Sequence, residues 1–200
     1  MHLEQTLHQL RIMRLATMAV CFEQLLKNGD HRDLSHEEFT SQVWIDNARN
    51  VIITGPTGAG KTYLAEAIGL HVCKMGLAAK KIRYKRLFEE LRAARGTGLY
   101  LSYLQKLQKI KVLIIDDFAM QPVTQDELSD LLDIVEERNQ LGPLIVTTQY
   151  PVAKWHSLFD DPTTADAICD RLIPTAIKLE LKGKSLRGGK EKDKEKACSK

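Results

Sequence analysis

Eight consecutive residues, Gly55-Pro56-Thr57-Gly58-Ala59-Gly60-Lys61-Thr62, have the types and the spacing that hold a polyphosphate. In G-x-x-x-x-G-K-[ST] the glycines let the backbone turn its N–H groups inward. The lysine reaches the β and γ phosphates, and the hydroxyl of the last residue is a ligand for Mg²⁺. The pattern carries this meaning only between a strand and a helix. Here Asn50 to Thr54 reads as a strand and Thr62 to Met75 as a helix, so the helix N-terminus adds its free N–H groups and positive dipole end. ATP and Mg²⁺ are the implied ligands, with Lys61 also acting on the γ phosphate and Thr62 on the metal.

A second group is Lys111-Val112-Leu113-Ile114-Ile115-Asp116-Asp117, an apolar strand that ends in two acids. A parallel sheet brings such an end beside the phosphate loop, which makes it a Walker B segment. Asp116 is assigned to Mg²⁺, directly or through water, and Asp117 to orienting and polarising the attacking water. Many relatives of this architecture place glutamate where Asp117 stands. The shorter aspartate predicts slow hydrolysis. A third strand, Leu144-Ile145-Val146-Thr147-Thr148-Gln149, delivers polar side chains at its end, and Thr148 is the first choice for sensing the γ phosphate, with Gln149 the alternative. Alternation leaves only one of these two neighbours facing the nucleotide. Arg171, in Asp170-Arg171-Leu172, stands before the last strand, where it could enter a neighbouring subunit's site as an arginine finger or pair with Asp170 or Glu180 on its own surface.

The elements that must position these groups follow from periodicity. Short β-branched runs alternate with longer helical stretches beyond Asn50, the signature of a parallel sheet covered by helices. The strands read as Asn50–Thr54, Lys80–Tyr84, Val112–Asp116, Leu144–Thr148 and Thr175–Leu181. Helices are expected over Thr62–Met75, Leu87–Arg95, Leu99–Gln108, Gln125–Gln140 and Thr163–Leu172. Before them, Leu3, Leu7, Leu10, Met18, Phe22, Leu25 and Leu26 recur at helical spacing up to Asn28-Gly29, a stop signal. The expected organisation is a helical segment and linker over 1–45, an ATPase core over 46–182, and a basic tail over 183–200 whose composition cannot offset its ordering entropy.

The chain has 200 residues, 44% hydrophobic and 28% charged, with net charge +3, which suits one globular α/β core. No apolar run is long enough to span a bilayer, and a cytoplasmic location is expected. Cys21, Cys73, Cys169 and Cys198 are scattered without C-x-x-C spacing, so they suggest neither a zinc site nor a disulfide framework. Lys85, Arg86, Arg92, Arg95, Lys106 and Lys109 cluster after the second strand, interrupted by Glu89 and Glu90. They suit either a solvated helical face or a track for DNA phosphates.

Taken together, GPTGAGKT, VLIIDDFAMQP, LIVTTQYPVAKWHSLFDDPTTADAICDRL and KLELKGKSLR closely resemble the IstB-like ATP-binding proteins of bacterial insertion sequences. More distantly they resemble the DnaC-type helicase loaders. The resemblance runs from about Asn50 to Arg187, with LEQTLHQLRIMRLATMA also like the family's start. It implies a three-layer AAA+ core of about five parallel strands without a lid domain. The implied activity is an ATPase that assembles on duplex DNA as a homo-oligomer in its ATP state and helps a transposase engage its target. Arg171 then becomes the arginine finger and Arg187 a weaker candidate for a second phosphate sensor. Arg92, Arg95, Lys106 and Lys109 become the backbone contacts to DNA. A loader of a replicative helicase is the alternative. A small-molecule kinase would need an acceptor site and an arginine-rich lid, and no such segment is present. One departure stands out. Family members carry a longer basic stretch before the phosphate loop, whereas Ser41-Gln42 here leads almost directly into Val43-Trp44-Ile45, so weakened adenine contacts and subunit packing are expected.

Overall fold

A computed structural model describes residues 43–139 and 141–182. The expected N-terminal helices, the tail and Arg187 lie outside the described residues. Five strands form one parallel sheet: β1 (Val51–Thr54), β2 (Ala79–Arg83), β3 (Val112–Asp116), β4 (Leu144–Thr148) and β5 (Ile177–Glu180), in the order β2-β3-β4-β1-β5. Parallel neighbours need crossover connections, and helices supply them. In chain order the helices are α1 (Val43–Asp46), α2 (Lys61–Lys74), α3 (Tyr84–Gly96), α4 (Tyr100–Gln108), α5 (Gln125–Arg138) and α6 (Pro162–Leu172), with a 3₁₀ helix at Val152–Leu158.

Strand alternation divides the core into two halves. Ile52, Leu113, Ile115, Leu144 and Val146 face α3, α4, α5 and α6 on one side of the sheet. Val51, Ile53, Val112, Ile114 and Ile145 face α2 and α1 on the other. Three layers result. β3 and β4 are buried along their whole length, as strands covered on both faces must be, whereas edge strand β5 alternates buried and exposed residues.

Local chemistry sets several boundaries. Thr124 and Glu127 form a reciprocal capping box at the start of α5. Asp161 caps α6 by accepting from the Thr163 amide at 3.1 Å, with Pro162 in the first turn. The expected strand through Tyr84 ends at Arg83 instead. Tyr84, Leu87, Phe88, Leu91 and Ala94 are buried at helical spacing, so this stripe belongs to α3 from its first residue. Trp44 and Ile45, read as linker, are buried against α2 and β1 and pack with the core. The sequence pattern predicts no element where the 3₁₀ helix lies. This helix seats Trp155 against Phe118, ring centroids 4.8 Å apart, directly behind the acids of β3.

Candidate nucleotide site

Gly55–Thr62 joins β1 to α2 at the carboxyl edge of the sheet. Gly55, Gly58 and Gly60 adopt φ of 149°, 82° and 95°, a region that side chains rarely enter. A Cβ on Gly55 would lie 2.5 Å from the Leu181 carbonyl oxygen, so that glycine is also required by close approach of the chain after β5. No side chain caps α2 at Gly60, which leaves its first-turn amides facing the loop. Lys61 Nζ donates to the Gly55 and Pro56 carbonyl oxygens at 2.8 and 2.9 Å, which holds the ammonium across the mouth of the loop. Thr57 Oγ1 donates to Gln149 Oε1 at 3.0 Å.

Asp116 is 2% exposed and is gripped from two sides. Its Oδ1 accepts from Thr62 Oγ1 at 3.0 Å and from Thr147 Oγ1 at 2.5 Å. Its Oδ2 faces Lys81 Nζ at 3.8 Å, and Lys81 also pairs with Glu66. A hydroxyl and a carboxylate at this spacing, both hard oxygen donors, suit Mg²⁺. Asp117 is exposed at the rim, with a left-handed φ of 59° that is uncommon for a residue with a side chain. Its amide donates to Thr147 Oγ1 at 3.1 Å, and the Phe118 amide donates to the Thr147 carbonyl oxygen at 2.8 Å.

The structure brings Gln149, rather than Thr148, to the phosphate loop. Thr148 is fully buried and points to the opposite face, where its hydroxyl donates to the Phe118 carbonyl oxygen at 2.9 Å and accepts from the Tyr150 amide at 3.2 Å. Alternation along β4 therefore puts Thr147 and Gln149 on the nucleotide side. Thr147 was missed by the sequence reading, although choosing Gln149 would have implied it.

Arg171 lies at the other edge of the sheet. It shares a small pocket with Asn50, Leu144 and Thr175, which stand at the starts of β1, β4 and β5. It pairs with neither Asp170 nor Glu180. Its guanidinium donates to the Ala167 carbonyl oxygen at 2.8 Å and meets Glu136 at 2.6 Å. A four-residue strand spans roughly 13 Å, so Arg171 is separated from its own phosphate loop by the depth of the sheet. Arg138, in the same pocket, is 2% exposed and donates to the carbonyl oxygens of Leu107, Ile110, Lys111 and Pro143. Burial pulls its pKa down to about 10.

The four cations singled out for DNA divide in two. Arg92 pairs with Glu127 at 2.7 Å, while Arg95 pairs with Asp130 and lies 3.8 Å from the centre of the Tyr100 ring. Lys106 and Lys109, at the end of α4, are exposed and have no ion pair among the described residues.

Residues 4–197 match the model of the IstB-like ATP binding protein family. An insertion-sequence ATP-binding protein of Sinorhizobium fredii, y4pL, is 32% identical over 91% of this chain and 95% of its own length. That alignment runs over 233 positions but takes in 91% of 200 residues, or 182, so about 51 positions of the relative face a gap. The ATP-binding protein of insertion sequence IS21 from Pseudomonas aeruginosa is 30% identical over 92% of this chain and 69% of its own. Among solved structures, the DnaC helicase loader superposes with a TM-score of 0.61 at 21% identity, covering 70% of this chain and 85% of its own. Domain III of the Thermotoga maritima initiator DnaA gives 0.60 at 17%, covering 84% and 63%. At these identities the structural likeness establishes the AAA+ fold.

Proposed function

The chain belongs to the IstB-like ATP-binding family, and from that premise we propose that it assembles on duplex DNA in its ATP state and assists a transposase in engaging target DNA. It is a P-loop ATPase associated with insertion sequences. The DNA assembly and the target choice are our reading. The observation that carries it is the placement of the phosphate loop and Arg171 at opposite edges of one sheet. Stacking subunits head to tail would present the arginine of one to the nucleotide of the next, which ties subunit association to the presence of ATP.

Within one subunit, the loop amides and Lys61 would hold the phosphates, while Thr62 and Asp116 would hold Mg²⁺. The metal, when bound, screens the charge that gathers on the phosphate oxygens. Asp117 accepts the proton of the attacking water, and Gln149 senses the γ phosphate through its position beside Thr57. The carboxylate of Asp117 is one methylene shorter than glutamate, which supports slow turnover and a long-lived assembled state. Lys106 and Lys109 are the better supported of the DNA contacts, since Arg92 and Arg95 are neutralised within the chain. Contacts of this kind track the phosphate backbone.

Fluorescence anisotropy of labelled duplex DNA, with ATP, with ADP and without nucleotide, tests the proposal. Tight binding is expected with ATP only, weakening steeply as salt rises and lost in Lys61→Ala. Binding that ignores nucleotide, or no binding while ATP is still held, would overturn it. In the second case, capture of a replicative helicase in place of a transposase would point to loader activity.

A further inference from the structure

We propose that Thr147 is a positioning residue that couples the two acids at the end of β3, setting Mg²⁺ affinity through Asp116 and the aim of the attacking water through Asp117. The inference rests on the ATPase reading above and deepens it. One hydroxyl makes both bonds: it gives its only proton to Asp116 Oδ1 at 2.5 Å and accepts the Asp117 amide at 3.1 Å. Thr147 is 0% exposed, so water cannot take over either bond. Its carbonyl oxygen accepts the next amide, that of Phe118, at 2.8 Å. A single residue of β4 thus holds two successive amides of the turn that carries Asp117 in its left-handed conformation.

The partners make the coupling directional. Asp116 Oδ1 already accepts from Thr62, and Thr147 adds a second donor to the same oxygen, which fixes the carboxylate beside the phosphate loop. Phe118 anchors the far end of the turn among Tyr84, Trp155 and Phe159. With Phe118 fixed in the core, the Asp117 carbonyl oxygen accepts from the Met120 amide at 3.3 Å within the turn, and the Thr147 hydroxyl is what ties the Asp117 amide to β4. A β-branched side chain is suited to this, because its χ1 is stiff and keeps the oxygen in place. Thr147 is fully buried and acts through the two acids its hydroxyl bonds.

The test compares Thr147→Val, Thr147→Ser and the parent full chain, with Lys61→Ala as a control on the site itself. Affinity for a fluorescent ATP analogue is measured in EDTA and across a Mg²⁺ titration, beside steady-state kinetics and thermal melting. For Thr147→Val the expected result is unchanged analogue binding in EDTA, with the Mg²⁺ midpoint raised and kcat lowered by about 10–100-fold, the usual range for a group behind a metal ligand. KM for ATP should stay nearly constant, and serine should restore most of both losses. Should the valine protein melt below the assay temperature, Thr147→Cys, with a weak donor of similar size, replaces it under the same criteria. A Mg²⁺ midpoint and kcat like those of the parent, or serine as impaired as valine, would overturn the proposal. Equal analogue binding by Lys61→Ala and the parent would instead overturn the reading of the site on which it rests.

Discussion

Gly55 meets two constraints at once, a φ of 149° and a backbone oxygen 2.5 Å from where a Cβ would sit. Alanine there has no rotamer to escape into, and the obstacle is the main chain beyond β5, which cannot yield without parting from β1. Gly55→Ala is expected to destabilise the fold by about 2–3 kcal/mol. That corresponds to a melting-point drop of roughly 4–12 °C for a chain of this size. Nucleotide binding should fall together with stability. Calorimetry and analogue binding check this, and an alanine protein that melts like the parent would show that the loop tolerates the contact.

At the scale of elements, α3, α4 and β2 are tied by a polar cluster rather than by apolar packing alone. Tyr103 of α4 donates to Glu90 of α3 at 2.7 Å, and Lys80 of β2 and Arg86 approach the same carboxylate. Burial pushes the Glu90 pKa up, but the Tyr103 hydroxyl, Lys80 and Arg86 outweigh it and hold the group below its ordinary value. A lowered folded-state pKa contributes stability above the ordinary carboxylate range, and that contribution is lost as pH falls through the folded value. Tyr103→Phe should therefore cost about 1 kcal/mol at neutral pH. The difference from the parent should shrink on acidification below the ordinary glutamate range, as followed by urea denaturation at several pH values. A penalty that is independent of pH would assign the effect to packing instead.

For the whole molecule, the proposed head-to-tail assembly can be tested through the separation of Arg171 from its own phosphate loop. Lys61→Ala removes the site at the carboxyl edge and leaves the arginine intact; Arg171→Ala does the reverse. Each variant alone is expected to be inactive in hydrolysis. Mixing them should restore part of the activity, because some contacts then join an intact site to an intact arginine. Arg171 must leave Glu136 to do this, so recovery is expected to require ATP and to rise with protein concentration. No recovery at any ratio, with both variants folded, would confine Arg171 to the surface pair it makes with α5.

Some of this was legible in the linear chain. The phosphate loop is eight contiguous residues, so its geometry follows from glycine spacing and the flanking strand and helix. The pair Asp116-Asp117 was equally readable, because a wholly apolar strand can only be central and must end at the ligand edge. The limits of α2, α4, β3 and β4 came within a residue of expectation for the same reason: local periodicity dictates them. Tertiary structure decided what depends on groups far apart in sequence. Whether Thr147, Thr148 or Gln149 faces the nucleotide depends on how β4 lies beside β3, with Ile114 opposite Ile145, and a shift of one residue would exchange the faces. Arg92 and Arg95 suit either a solvated face or a DNA track by sequence, until α5 brings Glu127 and Asp130 against them from 35 residues away. The amino end of the sheet was legible for Arg171, which precedes a parallel strand, but its pairing with Glu136 of α5 was not. Spacing along the chain determines which groups can form a site, whereas register and sheet order determine which of them meet.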